Sequence, residues 1–300
     1  MAITASDVKQ LREMTGAGMM ACKNALKESD GDMEKAVDFL RQKGLAAAQK
    51  KQSRVAAEGT VATFVEGNLG VVVEVNCETD FVSKGDDFQN FAKAVASHIV
   101  ANKPANVATL LEQKFNATDR TVSEAATELT LKCGEKIDLR RFELVQLADT
   151  GVIGNYNHGG RIGVLVEVNA SDASDAVVEL SKDLAMHIAA ADPKFLAASD
   201  IDEDFKKREA AIYKAQLEEQ GKPADMIEKI IMGKLNKLAS EVCLLNQKFV
   251  KDPDTTVEKL MKSVGSNITI TKFVKLNLGE GIEKKEDNLA DEVAKMTGNQ

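Results

Sequence analysis

"GVVVEVN" (Gly70 to Asn76) recurs as "GVLVEVN" (Gly163 to Asn169), at an offset of 93 residues. Further on, "FAKAVASHIVANKP" (Phe91 to Pro104) is echoed by "LSKDLAMHIAAADP" (Leu180 to Pro193), now at an offset of 89. The chain therefore contains an internal duplication, and four residues distinguish the two connections between strand and helix. The longer connection carries Glu78, Thr79, Asp80 and Phe81, whereas the shorter passes through "ASDAS" with no aromatic residue. A fold that needs this connection only for packing would work with the short version in both copies. The added residues are thus candidates for function.

The flanking sequence gives each copy a β-hairpin and an amphipathic helix. Thr60 to Val65 and Val71 to Asn76 read as strands joined by "EGNLG", with Gly67 and Asn68 in the turn. In the second copy Val152-Ile153 precedes an Asn- and Gly-rich turn, "GNYNHGGR", and then the strand Ile162 to Asn169. The helices are expected over Phe88 to Val100 and Ala176 to Ala190. Between the copies, "VSEAATELTLKCGEKIDLRRFELVQL" supplies a helix over Val122 to Cys133 and a strand over Ile137 to Leu147. The expected fold class is α+β, with antiparallel sheets and helices on one face of each.

Upstream lies a small helical module. Thr4 is an N-cap candidate for a first helix carrying Val8, Leu11 and Met14. A second helix follows "TGAG" around Met19 to Glu28, and a third begins near Met33. Three short helices make a bundle of ubiquitin-associated (UBA) type over residues 1–55. This segment has ten Lys/Arg against seven Asp/Glu, a mildly basic end on an acidic chain. Gly16, Gly18 and Ala21 match the spacing of a dinucleotide-binding loop, but that loop must follow a strand. Here the preceding segment has helical period, so the glycines serve a turn between helices.

The expected organisation continues with a polar junction at Gln49 to Thr60, a first core subdomain over 56–147, and a second over 148–199 and 241–277. The second is interrupted at 200–240 by an antiparallel helical hairpin. Its first helix sets Ile201, Phe205, Ile212, Ala215 and Leu217 on one side; its second carries Met226, Ile227, Ile230, Ile231, Leu235 and Leu238. Two readings of these residues stand: they bury one helix on the other, or the spare ones offer a homodimer contact. Residues 278–300 form a C-terminal module with an amphipathic helix bearing Leu289, Val293 and Met296.

Composition narrows the function. The chain of 300 residues has 39 basic and 47 acidic residues and a formal charge of −8, which argues against a general phosphate-binding surface. Tryptophan is absent and aromatics make up 4%, so platforms for stacking bases are poorly supplied. Direct nucleic-acid binding is not expected. No apolar run approaches the roughly 20 residues needed to span a bilayer, and the first residues do not read as a signal or transit segment. A cytoplasmic protein is expected. Cys22, Cys77, Cys133 and Cys243 are scattered, without metal-site spacing, which suits a reducing compartment. No metal and no cofactor is expected.

Catalytic groups are thinly supplied. His98 and His187 occupy matching positions in the two repeat helices, as packed, hydrogen-bonded histidines would in a duplicated fold. His158 sits in the polar hairpin turn, where it could touch a partner. Cys77 has no base assignable from spacing, so an enzyme built on Cys77 or His158 is disfavoured. Two readings of Glu78 to Phe81 stand at this point. Thr79 or Asp80 could cap the next helix with Phe81 folded into the core as a staple; or Phe81 is offered at an exposed tip as an anchor for a partner's pocket.

"LREMTGAGMMACKNAL" (Leu11 to Leu26), "EVNCETDFVSK" (Glu74 to Lys84), "HGGRIGVLVEVN" (His158 to Asn169), "AMHIAA" (Ala185 to Ala190) and "LGEGIEKKEDNLADEVAKM" (Leu278 to Met296) resemble, in order, the bacterial translation elongation factor Ts family. That family's Thr-Asp-Phe-Val motif falls on Thr79, Asp80, Phe81 and Val82; Glu78 stands where the family often has Gln. The resemblance implies an exchange factor for elongation factor Tu with no active site of its own. Phe81 with Asp80 would wedge between two helices of the GTPase domain and disturb the magnesium and phosphate sites. It further implies partner contacts by Met19 and Met20 in the N-terminal module, by the region of His158, and by the tail. A homodimer through 200–240 would make a 2:2 complex. The alternative is an adaptor that binds a protein through the UBA-like module without promoting exchange.

Overall fold

Every residue of the strand Leu69–Cys77 is buried, including Glu74 and Asn76. A strand so uniformly covered belongs in the middle of a sheet, and it is the central member of a three-stranded one. In the computed structural model, which describes residues 3–116 and 118–283, the elements run in the following order. Helices Ala5–Thr15 (α1), Met19–Glu28 (α2) and Met33–Lys51 (α3) come first. Strands Glu58–Glu66 (β1) and Leu69–Cys77 (β2) then lead into Asp80–Ser83 (α4), Asp86–Asn102 (α5), Val107–Glu112 (α6), Val122–Cys133 (α7) and Asp138–Gln146 (β3). The second copy has Gly151–His158 (β4), Ile162–Asn169 (β5) and Asp175–Ala191 (α8), then the pair Glu203–Glu219 (α9) and Ala224–Val242 (α10). Lys248–Phe249 (β6), Asp252–Thr256 (β7), Val257–Val264 (α11) and Thr269–Asn277 (β8) follow. The fold class is α+β.

The duplication is plain in the topology. Besides the small β6-β7 pair there are two three-stranded sheets, of order β1-β2-β3 and β4-β5-β8, each made from a hairpin followed, after helices, by one returning strand. Gly59 and Gly151 hold matching places: a Cβ on either would collide with the neighbouring strand's backbone, at the carbonyl of Val75 or of Val168. The histidines match too. His98 Nε2 lies 3.1 Å from Gln113 Oε1, and His187 Nε2 lies 3.0 Å from Gln247 Oε1. In each copy the same glutamine's backbone carbonyl accepts the N–H of the next helix's first residue, Val122 or Val257. These are packed, bonded histidines.

By internal contacts the chain divides into two units. One gathers the residues up to Val61, Glu74–Arg141 and the segment from Asn277; the other takes Ala62–Val73 and Phe142–Leu276. In the first unit α1, α2 and α3 close around Val8, Leu11, Cys22, Ala25, Leu26, Ala36 and Leu40. Thr4 and Asp7 form a capping box that starts α1, and Gly16 ends it in the left-handed conformation at φ 67°. The dinucleotide-like glycines therefore join two helices. Helix α3 continues through Lys51, into the stretch expected to be a linker, and rests on α7, where Arg41 pairs with Glu124 at 2.8 Å. Glu74 is held by Arg140 at 3.0 Å, by Arg141 at 2.6 Å and by the N–H of Gly279 at 2.8 Å. Burial alone would raise its pKa, but the Gly279 N–H and the two guanidinium groups bring it below the usual carboxylate range.

In the second unit Val164, Val166 and Val168 of β5 meet Leu180, Leu184 and Ile188 of α8. The stretch expected as a long turn between β4 and β5 is mostly strand. Asn155, Tyr156, Asn157 and His158 continue the ladder opposite Leu165, Val164, Gly163 and Ile162, leaving the turn to Gly159, Gly160 and Arg161. The Asn-rich composition reflects an exposed strand end rather than a loop. Helix α9 is also rotated relative to its expected stripe. Phe205 and Leu217 face inward, and steps of four between them pass through Tyr213, leaving Ile212 and Ala215 outside. Lys234 sits over the Tyr213 ring at 4.5 Å. The expected C-terminal helix with Leu289, Val293 and Met296 lies outside the described residues. Among the described residues no helix is long and apolar enough to cross a membrane.

Candidate functional site

The longer connection of the first copy runs from Glu78 and Thr79 into a single helical turn, α4, which begins at Asp80. Thr79 is its N-cap, with an extended backbone and a side chain that accepts the Val82 N–H at 3.4 Å. Asp80 occupies the first turn, where a negative charge is favoured, and pairs with Lys84 at 2.7 Å. That hydrogen bond holds the Asp80 carboxyl below its ordinary pKa. Ser83 Oγ donates back to the Asp80 carbonyl at 3.0 Å, and Gln89 Nε2 donates to the Ser83 carbonyl at 2.6 Å. The turn is therefore bonded at both ends.

This geometry decides between the two readings of Phe81. The threonine is indeed a cap, but Phe81 is not a staple: it is 87% exposed. Val82, one position on, turns the other way and lines a recess of about 230 Å³ with Phe88, Leu129, Lys132 and Cys133. A tightly bonded single turn thus sorts its two apolar side chains, one inward as a footing and one outward. A phenylalanine left in water forgoes roughly 1.5–3 kcal/mol of burial, which a partner's pocket can recover.

The footing rests on a second turn, between α7 and β3. Glu135 accepts the backbone N–H groups of Glu78 at 3.1 Å and Thr79 at 2.9 Å, and the Thr79 hydroxyl donates to it at 2.6 Å. Reciprocally, Glu78 Oε1 accepts the Lys136 N–H at 2.7 Å, while Arg54 NH1 reaches Glu78 at 3.1 Å. Cys77 lies beneath, its thiol donating to the Thr79 carbonyl at 3.1 Å. Burial, then the Glu135 carboxylate, pushes the Cys77 pKa up to about 12. Cys77 is a packing and hydrogen-bonding group, not a nucleophile.

Of the other sequence-derived candidates, Met19 and Met20 open α2 at 60% and 67% exposure, and Met14 is 61% exposed. They share the first unit with Phe81. Lys132 of α7 lies between: its aliphatic stem is 3.5 Å from where a Cβ on Gly16 would stand, and its ammonium pairs with Asp87 at 2.6 Å. His158 belongs to the other unit, at the exposed end of β4, with Nδ1 2.9 Å from Tyr156 Oη. Glu135, Arg54 and Lys136 escape a reading by local motif because their partners are distant in sequence. One signal was present: the second copy has Ser266 where the first has Glu135. Among the described residues no three His, Cys, Asp or Glu side chains gather as a metal site would require.

A duplicated α+β scaffold that holds an exposed aromatic on a bonded turn, with exposed methionines in the same unit, has the features of a protein-docking factor. The profile of the family described as "Elongation factor TS" matches residues 78–280. Elongation factor Ts of Clostridium perfringens strain SM101 is 52% identical, the match covering 99% of each chain. Those of Clostridium novyi and Trichlorobacter lovleyi are 50% and 49% identical, over 98% and 99% of each chain respectively. The chain belongs to the elongation factor Ts family, and its role is that of a translation elongation factor.

Proposed function

We propose that this chain promotes guanine nucleotide exchange on elongation factor Tu. The observation that carries the reading is the exposure of Phe81 on a turn whose other side chains are all committed. Phe81, with Asp80 beside it, enters between two helices of the partner's GTPase domain. The displacement disturbs the magnesium site and then the phosphate-binding loop, so bound nucleotide loses favourable contacts. By linkage, the factor by which the exchange protein weakens nucleotide binding is the factor by which nucleotide weakens binding of the exchange protein. GTP can then rebind and expel it. The chemistry asked of this chain is a wedge and a docking surface, with no proton transfer and no active site.

Met19 and Met20 extend the docking surface on the same unit, and His158 supplies a contact to a more distal part of the partner. Residues 1–55, the two core subdomains, the hairpin 200–240 and the C-terminal segment act as separate modules in this reading, and the protein works in the cytoplasm. Exposed Ile212, Met226 and Met232 on the hairpin support pairing of two copies into a 2:2 complex. The test is the rate of fluorescent GDP release from elongation factor Tu, followed by stopped flow with and without this protein. Acceleration that saturates with its concentration is expected; binding without acceleration would favour the adaptor reading instead.

A further inference from the structure

The tip is held by an exchange of carboxylates between two loops that lie far apart in sequence. Glu135 reaches from the turn after α7 to the Glu78 and Thr79 amides and the Thr79 hydroxyl, and Glu78 reaches back to the Lys136 amide. Four hydrogen bonds with an ionised acceptor fix the two residues immediately before α4, each stronger than a neutral bond. The same turn grips the end of the N-terminal module. Lys51 Nζ donates to the Gly134 carbonyl, and Lys136 Nζ donates to the carbonyls of Gln52 at 3.0 Å and Arg54 at 3.4 Å.

The second copy is an internal control. Its matching turn reads Gly265-Ser266-Asn267, with no carboxylate, and Ser266 Oγ donates only to its neighbour Asn267, at 3.5 Å. That turn and the short connection around Ser171 and Asp172 line an open cavity of about 240 Å³ rather than bonding across it. The fold therefore forms without a glutamate at this place. The glutamate occurs in the copy that has a tip to hold.

We infer that Glu135 is the positioning residue of the exchange tip, fixing the backbone at Thr79 so that Asp80 and Phe81 meet the partner already ordered. This rests on the exchange reading above. In this assignment Glu135 acts through Phe81, by way of its bonds to Glu78 and Thr79. A preorganised tip spends none of its contact energy on becoming ordered when it binds. Without Glu135 the Thr79 amide and hydroxyl turn to water, and the tip samples other conformations.

The experiment compares full-length wild type, Glu135→Ala, Glu135→Gln, Phe81→Ala and the double variant Phe81→Ala/Glu135→Ala in stopped-flow release of fluorescent GDP from elongation factor Tu. Glu135→Ala is expected to lower the saturating release rate about tenfold and to change the half-saturating concentration less than about threefold, because the remaining docking surfaces are intact. Glu135→Gln, which still offers an oxygen to the Thr79 amide, recovers part of the rate. The double variant is no slower than Phe81→Ala alone, as expected for two residues acting through one contact. An unaltered rate in Glu135→Ala, or additive losses in the double variant, would overturn the assignment. Amide hydrogen exchange over 77–84 supplies a readout independent of function. Protection at Thr79 falls in Glu135→Ala while α7 and β3 keep theirs; unchanged protection also overturns it. Should Glu135→Ala fail to fold, Glu135→Gln carries the same comparison with a smaller expected loss. Should wild type fail to accelerate release, the exchange reading falls, and hydrogen exchange still decides whether Glu135 orders the tip.

Discussion

Asp80, Phe81 and Val82 are consecutive and meet three different environments. Val82 is a footing, Asp80 is paired with Lys84, and Phe81 stands in water. An exposed phenylalanine contributes little to folding, so Phe81→Ala should change unfolding free energy by no more than about 0.5 kcal/mol in a urea titration. A larger loss would mean that Phe81 packs against its own chain. Cys77, four residues away, behaves oppositely. With its pKa raised to about 12, it is almost wholly protonated at neutral pH. A thiol probe should leave it unlabelled in the native protein at pH 7 and label it on denaturation. Rapid native labelling of Cys77 would contradict its placement beneath Thr79.

At the scale of elements, α8 is tied to the returning chain by His187. Its Nδ1 accepts the Val250 N–H at 3.3 Å, so Nε2 carries the proton and donates to Gln247 Oε1. Gln247 Nε2 donates in turn to the carbonyls of Ala191, at 3.3 Å, and Glu241, at 2.8 Å. Burial pulls the His187 pKa below 6.5, against a smaller opposing effect of Gln247. Because the folded value is depressed, the unfolded chain takes up the proton first. This contribution to stability is complete above the unfolded value of 6.5 and is lost as pH falls through the folded value. Wild type should therefore lose more unfolding free energy than His187→Gln between neutral and mildly acidic pH. Equal losses in the two chains would contradict the buried, neutral assignment. The sequence made the pairing of His98 with His187 legible through their shared register, but not the glutamines, which sit 15 and 60 residues away. It made the repeated hairpins legible through their valines, yet not the length of β4, because exposed strand ends share the composition of loops. Helix α4 has four residues, fewer than any period can reveal.

Across the whole molecule, the duplication separates what the fold requires from what has been added to it. Both copies keep the hairpin, the glycine at its start, the buried histidine and the returning strand. Only the first has the turn bearing Phe81 and the glutamate that holds it. The exposed tip is one of two open readings of the sequence, since a cap and a staple share the same residue pattern; the exposure of Phe81 excludes the staple. Glu135 itself was hidden by a separation of 56 residues from the amide it holds. The central claim is that this added turn drives nucleotide release. Its most direct test is stopped-flow GDP release from elongation factor Tu with wild type and with Phe81→Ala at saturating concentration. The account predicts strong acceleration by wild type and loss of most of it in the variant, with an unchanged circular dichroism melt. Equal release by the two proteins would contradict it.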